Sequence, residues 1–82
     1  MRDEAGILKV VAERVRAGRK AAGLSQEKLA FEADLDRTYI SQVERQKRNV
    51  TVLVLARIAR ALKITPDQLL VPIKGPRAGK KV

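Results

Sequence analysis

The sequence predicts an all-α fold, a compact five-helix domain, and three observations carry that expectation. Apolar residues recur at three- and four-residue spacing in segment after segment as far as Leu70. Residues that start and stop helices, Ser25, Asp36, Thr51, Thr65-Pro66 and Gly23, stand between those segments. With 82 residues the chain buries a modest core, which suits a helical bundle better than anything with a deep pocket.

The first helix begins between Asp3 and Ile7 and runs to Ala22, with Leu8, Val11, Ala12 and Val15 facing inward and Gly23 as its stop. Gly18 lies inside it, where glycine costs roughly 1 kcal/mol against alanine and leaves nothing to pack. A bulky neighbour, Phe31 or Tyr39, is expected to fill that space. Ser25 caps the second helix, and Glu27 in its first turn suits the positive end of the helix dipole. Its inward side is Leu29, Ala30 and Ala33, and it stops near Asp34 because Asp-Leu-Asp sits badly in a helix interior.

Asp36 caps a third helix that starts at Arg37. Ile40, Val43 and Glu44 fall on one side of it; Thr38, Ser41, Gln42 and Arg45 fall on the other. Lys47 to Val50 form a loop, and Thr51 caps a fourth helix reaching Leu62, with Val52, Leu55, Ile58, Ala59 and Leu62 as its core face. Residues 50–56, VTVLVLA, would pass for a buried strand by β-propensity, but the continuation from Arg57 to Lys63 makes them helical. A fifth helix starts at Thr65-Pro66-Asp67-Gln68, a cap, a proline at the first helical position and a glutamine three residues after the cap; it ends by Val71. The expected domain is therefore 1–71, and 72–82 is expected to be a disordered basic tail, either a phosphate tether or a solubilising extension.

The net charge of +9 favours a polyanionic partner, nucleic acid or an acidic membrane surface. Its distribution is uneven. Residues 1–24 carry six basic and three acidic groups, 25–46 three and five, and 47–82 nine and one. The acids of the middle segment are accounted for at caps, in the turn or inward, as with Glu27, Asp34, Asp36 and Glu44, while Glu32 has no such role. General affinity for phosphate would then come from the flanks, Arg16 and Lys20 before and Lys47 and Arg48 after.

The chain has no cysteine and no histidine, so disulfides, thiolate metal sites and the commonest general base are all excluded. No metal, cofactor or small-molecule ligand is expected, and no nucleophile-and-base pair supports an enzyme. No apolar run approaches the roughly 18 residues of a membrane span, and Met1-Arg2-Asp3-Glu4 lacks the order of a signal peptide. The expected location is the cytoplasm, at the nucleoid.

The outward side of the third helix is a row of hydrogen-bonding groups suited to base edges in a DNA major groove. Arginine bonds guanine bidentately, glutamine bonds adenine, and serine or threonine bonds either edge or offers a methyl to thymine. Arg37 and Thr38 are the first candidates for base reading, and Ser41 and Gln42 the second. Tyr39 is a candidate for a phosphate or sugar contact or for the core edge; Arg48 and Asn49, with Lys47 beside them, are candidates for phosphate. An ordinary solvated helix face is the plainer alternative.

From Val15 to Leu70 the chain resembles the Cro-like, phage-repressor-type helix-turn-helix family, and more narrowly the controller proteins of restriction-modification genes. The carriers are Arg19, Gly23-Leu24-Ser25-Gln26, Leu29-Ala30, Asp36-Arg37-Thr38-Tyr39-Ile40-Ser41, Glu44-Arg45, Arg48-Asn49, Leu55, Ile58-Ala59, Leu62 and Leu69. The resemblance implies a lambda-repressor-like DNA-binding domain of five helices, usually dimeric, that represses or activates transcription. It implies a DNA-phosphate and helix-supporting role for Gln26 and an ion pair between Arg19 and Glu44. The sequence departs from the family at Gly18, where leucine is usual, and at Asp34, where glycine is usual.

One reading helix touches only a few base pairs, so a homodimer on two half-sites is expected. Leu53 and Val54, pointing away from the core, with Ile64, Leu70 and Val71 nearby, are the candidate dimer surface. An antitoxin, a phage-type repressor of its own operon, and a protein-interaction module that lost DNA binding stay open beside the controller reading.

Overall fold

The structure, a computed structural model, describes residues 6–73. Its elements are α1 (Ile7–Ala21), α2 (Gln26–Ala33), α3 (Arg37–Glu44), α4 (Val52–Leu62) and a 3-10 helix (Pro66–Leu70), with no strand among the described residues. The part of the first helix expected before Gly6, and the tail beyond Ile73, lie outside the described residues.

Three of the expected side-chain caps are made, and at the fourth start the Thr65 N–H donates to Gln68 Oε1 at 3.1 Å. Ser25 accepts from the Lys28 N–H at 3.0 Å, Asp36 from the Thr38 N–H at 2.9 Å, and Thr51 from the Val54 N–H at 3.1 Å. Each satisfies a donor that the first helical turn leaves open. Apolar faces from every element then meet in one core, with Val15, Leu29, Ile40, Val43, Ile58 and Leu69 among its most enclosed members. α2 packs on α3 and α4, α1 packs on α3, and the 3-10 helix closes the bundle against α1 and α4. α3 is thereby held from behind by two helices while its other side faces out.

The structure corrects four expectations. The fifth helix is 3-10 rather than α: Thr65 and Gln68 make an i to i+3 bond of 3.0 Å, and Pro72 disfavours helical backbone at Val71, so the element closes after five residues. Val52 is 82 % exposed rather than in the core. It continues the stripe of Leu55, Ile58, Ala59 and Leu62, but it is the first residue of α4, and the buried part of that stripe begins at Leu55. The space beside Gly18 is filled by Leu62, not by an aromatic ring: a β-carbon there would stand 3.0 Å from a Leu62 methyl. Phe31 instead is 77 % exposed, with Lys28 Nζ 5.7 Å from its ring centre. Leu8 is half-buried rather than enclosed.

Candidate nucleic-acid interface

The candidate interface is braced from behind by one buried carboxylate. Glu44, 4 % exposed, ends α3 on its inward side. Arg19 of α1 grips it with two hydrogen bonds, Nε to Oε2 at 2.7 Å and Nη2 to Oε1 at 3.1 Å, the fork geometry that makes arginine–carboxylate pairs strong. Gln26 of α2 donates from Nε2 to Oε1 at 3.1 Å. Arg16 donates to the Glu44 carbonyl at 3.2 Å and lies 3.5 Å from its carboxylate. Arg19 also donates to the Leu24 carbonyl at 3.0 Å, so one side chain ties α1, the turn after it and α3.

Burial pushes the Glu44 carboxyl up and is the largest single influence on it. The hydrogen bonds from Arg19, Gln26 and Arg16, with the charge of Arg19, together outweigh burial and hold the carboxyl below the ordinary carboxylate range. The hydrogen bond to Glu44 in turn pushes the Arg19 guanidinium further up, against its partial burial. Both groups stay ionised at neutral pH, and α3 is locked to α1 and α2 by charged bonds.

The opposite side of α3 carries Arg37 and Thr38, both exposed, then Ser41 and Gln42, half-buried. An eight-residue helix is about 12 Å long, the width of a B-DNA major groove. Ile40 and Val43 are buried, so the division of α3 into a core side and an outward side is as the spacing predicts. Beyond α3 the loop bears Lys47, Arg48 and Asn49, all exposed. Arg48 lies with its guanidinium 4.3 Å from the Tyr39 ring centre and donates to Gln42 Oε1 at 2.8 Å. The structure thus joins Tyr39, Gln42 and Arg48, which the sequence treats as separate contacts.

Arg16 belongs to the Glu44 cluster, a role that the sequence reading missed by treating it only as a flanking charge. The available signal was its position three residues before Arg19 on the same helix face. Arg14 was missed as well: it donates to the carbonyls of Val71 and Pro72 and pins the segment that leaves the 3-10 helix. Of the candidate dimer residues, Leu53 is 77 % exposed and Leu70 and Val71 are exposed, whereas Val54 and Ile64 are half-buried against the core.

Known proteins share this fold. The family model described as helix-turn-helix matches residues 15–69. The control protein C.BamHI of Bacillus amyloliquefaciens is 53 % identical over 49 residues, a segment that covers 60 % of this chain and 60 % of that protein. The solved hypothetical transcription factor NHTF from Neisseria superimposes with a TM-score of 0.81 at 40 % identity, over 88 % of this chain and 83 % of the other. The restriction-modification controller protein C.Esp1396I, solved as a tetramer in complex with its natural 35 base-pair operator, superimposes with a TM-score of 0.71 at 36 % identity, over 77 % and 83 %.

Proposed function

The chain belongs to the helix-turn-helix family, and from that membership we propose that it is a transcriptional regulator that binds double-stranded DNA sequence-specifically, as a homodimer on an operator of two half-sites. It is a binding protein, not an enzyme, and its relatives include control proteins and a hypothetical transcription factor. The narrower reading is a restriction-modification controller, supported by the run Asp36-Arg37-Thr38-Tyr39-Ile40-Ser41 and by the similarity to proteins of that class. No helix of the described residues is long and apolar enough to cross a membrane. Association with the nucleoid follows from the DNA reading.

The single observation that carries the proposal is the two-sidedness of α3: a buried ion pair on one side, and on the other a polar row exposed at Arg37 and Thr38 and half-buried at Ser41 and Gln42. In this reading Arg37 and Thr38 contact base edges from the first turn, and Ser41 and Gln42 from the second. Gln26, at the start of α2, reaches a phosphate while bracing Glu44, and the open backbone N–H groups of that helix end suit the same anion. Lys47, Arg48, Asn49 and Tyr39 hold the DNA backbone and set register. The second copy docks through Leu53, Leu70 and Val71, with Val54 and Ile64 supporting that surface from beneath.

Selection from randomised duplexes, followed by a measurement of chains bound per selected duplex, tests the proposal. Two related half-sites with centres about 34 Å apart, occupied by two chains, are expected. No enriched sequence, or one half-site filled by one chain, would overturn it.

A further inference from the structure

The loop after α3 returns a cation to the polar face. Gln46 adopts a left-handed backbone with φ 61°, and the Lys47 N–H donates to the Gln42 carbonyl at 2.8 Å, so the chain reverses over the last turn of the helix. Arg48 is then laid back across α3. Its guanidinium stacks on Tyr39 while its Nε donates to Gln42 Oε1, so two different contacts hold one group.

That hydrogen bond decides which end of the Gln42 amide faces out. A glutamine that reads adenine needs both ends: its oxygen accepts from the adenine N6 amino group while its nitrogen donates to N7. Here a cation occupies the oxygen. The oxygen keeps one lone pair, held beside the Arg48 guanidinium, so the group left freest for a base edge is the NH2, with its two donors. It matches O6 and N7 of guanine and meets another donor at adenine N6.

We infer that Arg48 is a positioning residue that acts through Gln42 to make one operator position prefer guanine over adenine. The inference rests on α3 being the DNA-contacting helix, as proposed above. Arg48 also keeps terminal nitrogens that can take a phosphate, so a loss of overall affinity does not distinguish the two roles. The ratio between two bases at one position does, because a lost phosphate contact weakens both duplexes alike.

The test uses the full chain and a duplex selected by the wild type. The position read by Gln42 is the one whose base preference disappears in Gln42→Ala. At that position the wild type is expected to bind guanine over adenine by about 5-fold or more. Arg48→Met keeps the stem and removes the donor; it is expected to abolish or reverse that ratio and leave the other positions unchanged. The double variant with Gln42→Ala should match Gln42→Ala alone, and thermal melts of each variant confirm that it folds. A wild-type preference for adenine, no preference assignable to Gln42, or an Arg48→Met protein that weakens all duplexes by one factor with the ratio intact would each overturn the inference while leaving the proposed function standing. A wild type that selects no sequence would overturn both.

Discussion

Glu44 sets where α3 stands, because a carboxylate this enclosed persists only with partners that restore what water supplied. Isolated burial of an ion costs several kcal/mol even after relaxation. Arg19, Gln26 and Arg16 together meet that cost from two helices. Removing the carboxylate by Glu44→Ala leaves the Arg19 guanidinium partly buried and unpaired, and is expected to cost about 3 kcal/mol in a denaturant titration. A loss under about 1 kcal/mol would place the pair in the class of exposed surface bridges. The pH dependence follows from the sign of the shift. The folded carboxyl titrates below its unfolded value, so the stability it contributes is complete above about pH 4.3 and is lost as pH falls through the lower folded value. Melting temperature should therefore fall on acidification more steeply in the wild type than in Glu44→Gln, and parallel curves would contradict this. The pair was legible in the sequence because periodicity turns Glu44 inward and the resemblance supplies Arg19. The Gln42–Arg48 bond was not, since its residues are brought together by a turn whose backbone no residue type announces.

The helices begin by signals the sequence displays and end by a device it displays only once. All four α-helices close with a residue in left-handed backbone, Gly23 after α1, Asp34 after α2, Gln46 after α3 and Lys63 after α4. In each, the next N–H bonds back across the end: Leu24 to the Arg19 carbonyl, Leu35 to Ala30, Lys47 to Gln42 and Ile64 to Ala59. Leu24, Leu35 and Ile64 then pack against the core, while Lys47 faces outward and starts the loop that carries Arg48. Glycine announces such an end; glutamine and lysine do not, and α3 and α4 could be bounded only by the caps that follow or precede them. Asp34 has φ 58° and ψ 48°, and its carboxylate also sits at the negative end of the α2 dipole. Arg57 contacts its backbone carbonyl rather than its side chain, so that contact survives substitution. Asp34→Gly is expected to raise the melting temperature by about 2 °C, less than the full relief of strain because glycine also loosens the unfolded chain. A lower melting temperature would show that the Asp34 side chain stabilises the turn.

Over the whole molecule, the net-acidic segment 25–46 carries the polar face proposed to read DNA, and most of the surplus positive charge lies outside it, a division suited to specificity in one place and phosphate affinity in another. The all-helical class and the two faces of α3 were legible from spacing and caps, whereas the exposure of the residues proposed to join two copies was legible only in part, since it depends on which neighbours cover each side chain. Leu53 is the sharpest probe of that surface because it is exposed and contributes little to its own core. Leu53→Asp is expected to shift the chain toward monomer in analytical ultracentrifugation with the helical signal unchanged, and a dimer of undiminished affinity would place the interface elsewhere. The central claim, that α3 reads base sequence, is tested most directly through Arg37, which is exposed at the helix start and has no side-chain hydrogen bond or ion pair to another described residue. Binding of the wild type, Arg37→Ala and Arg48→Ala to the selected operator and to random duplex, at several salt concentrations, separates reading from holding. Arg37→Ala is expected to lose about 1–3 kcal/mol on the operator, relax the preference at one base pair and lose less on random DNA. Arg48→Ala is expected to weaken both duplexes, to flatten the salt dependence by about one unit of slope, and to leave base preference unchanged at every position but the one read by Gln42. An Arg37→Ala protein with unchanged affinity and unchanged selected sequence would contradict the assignment of α3 as the reader.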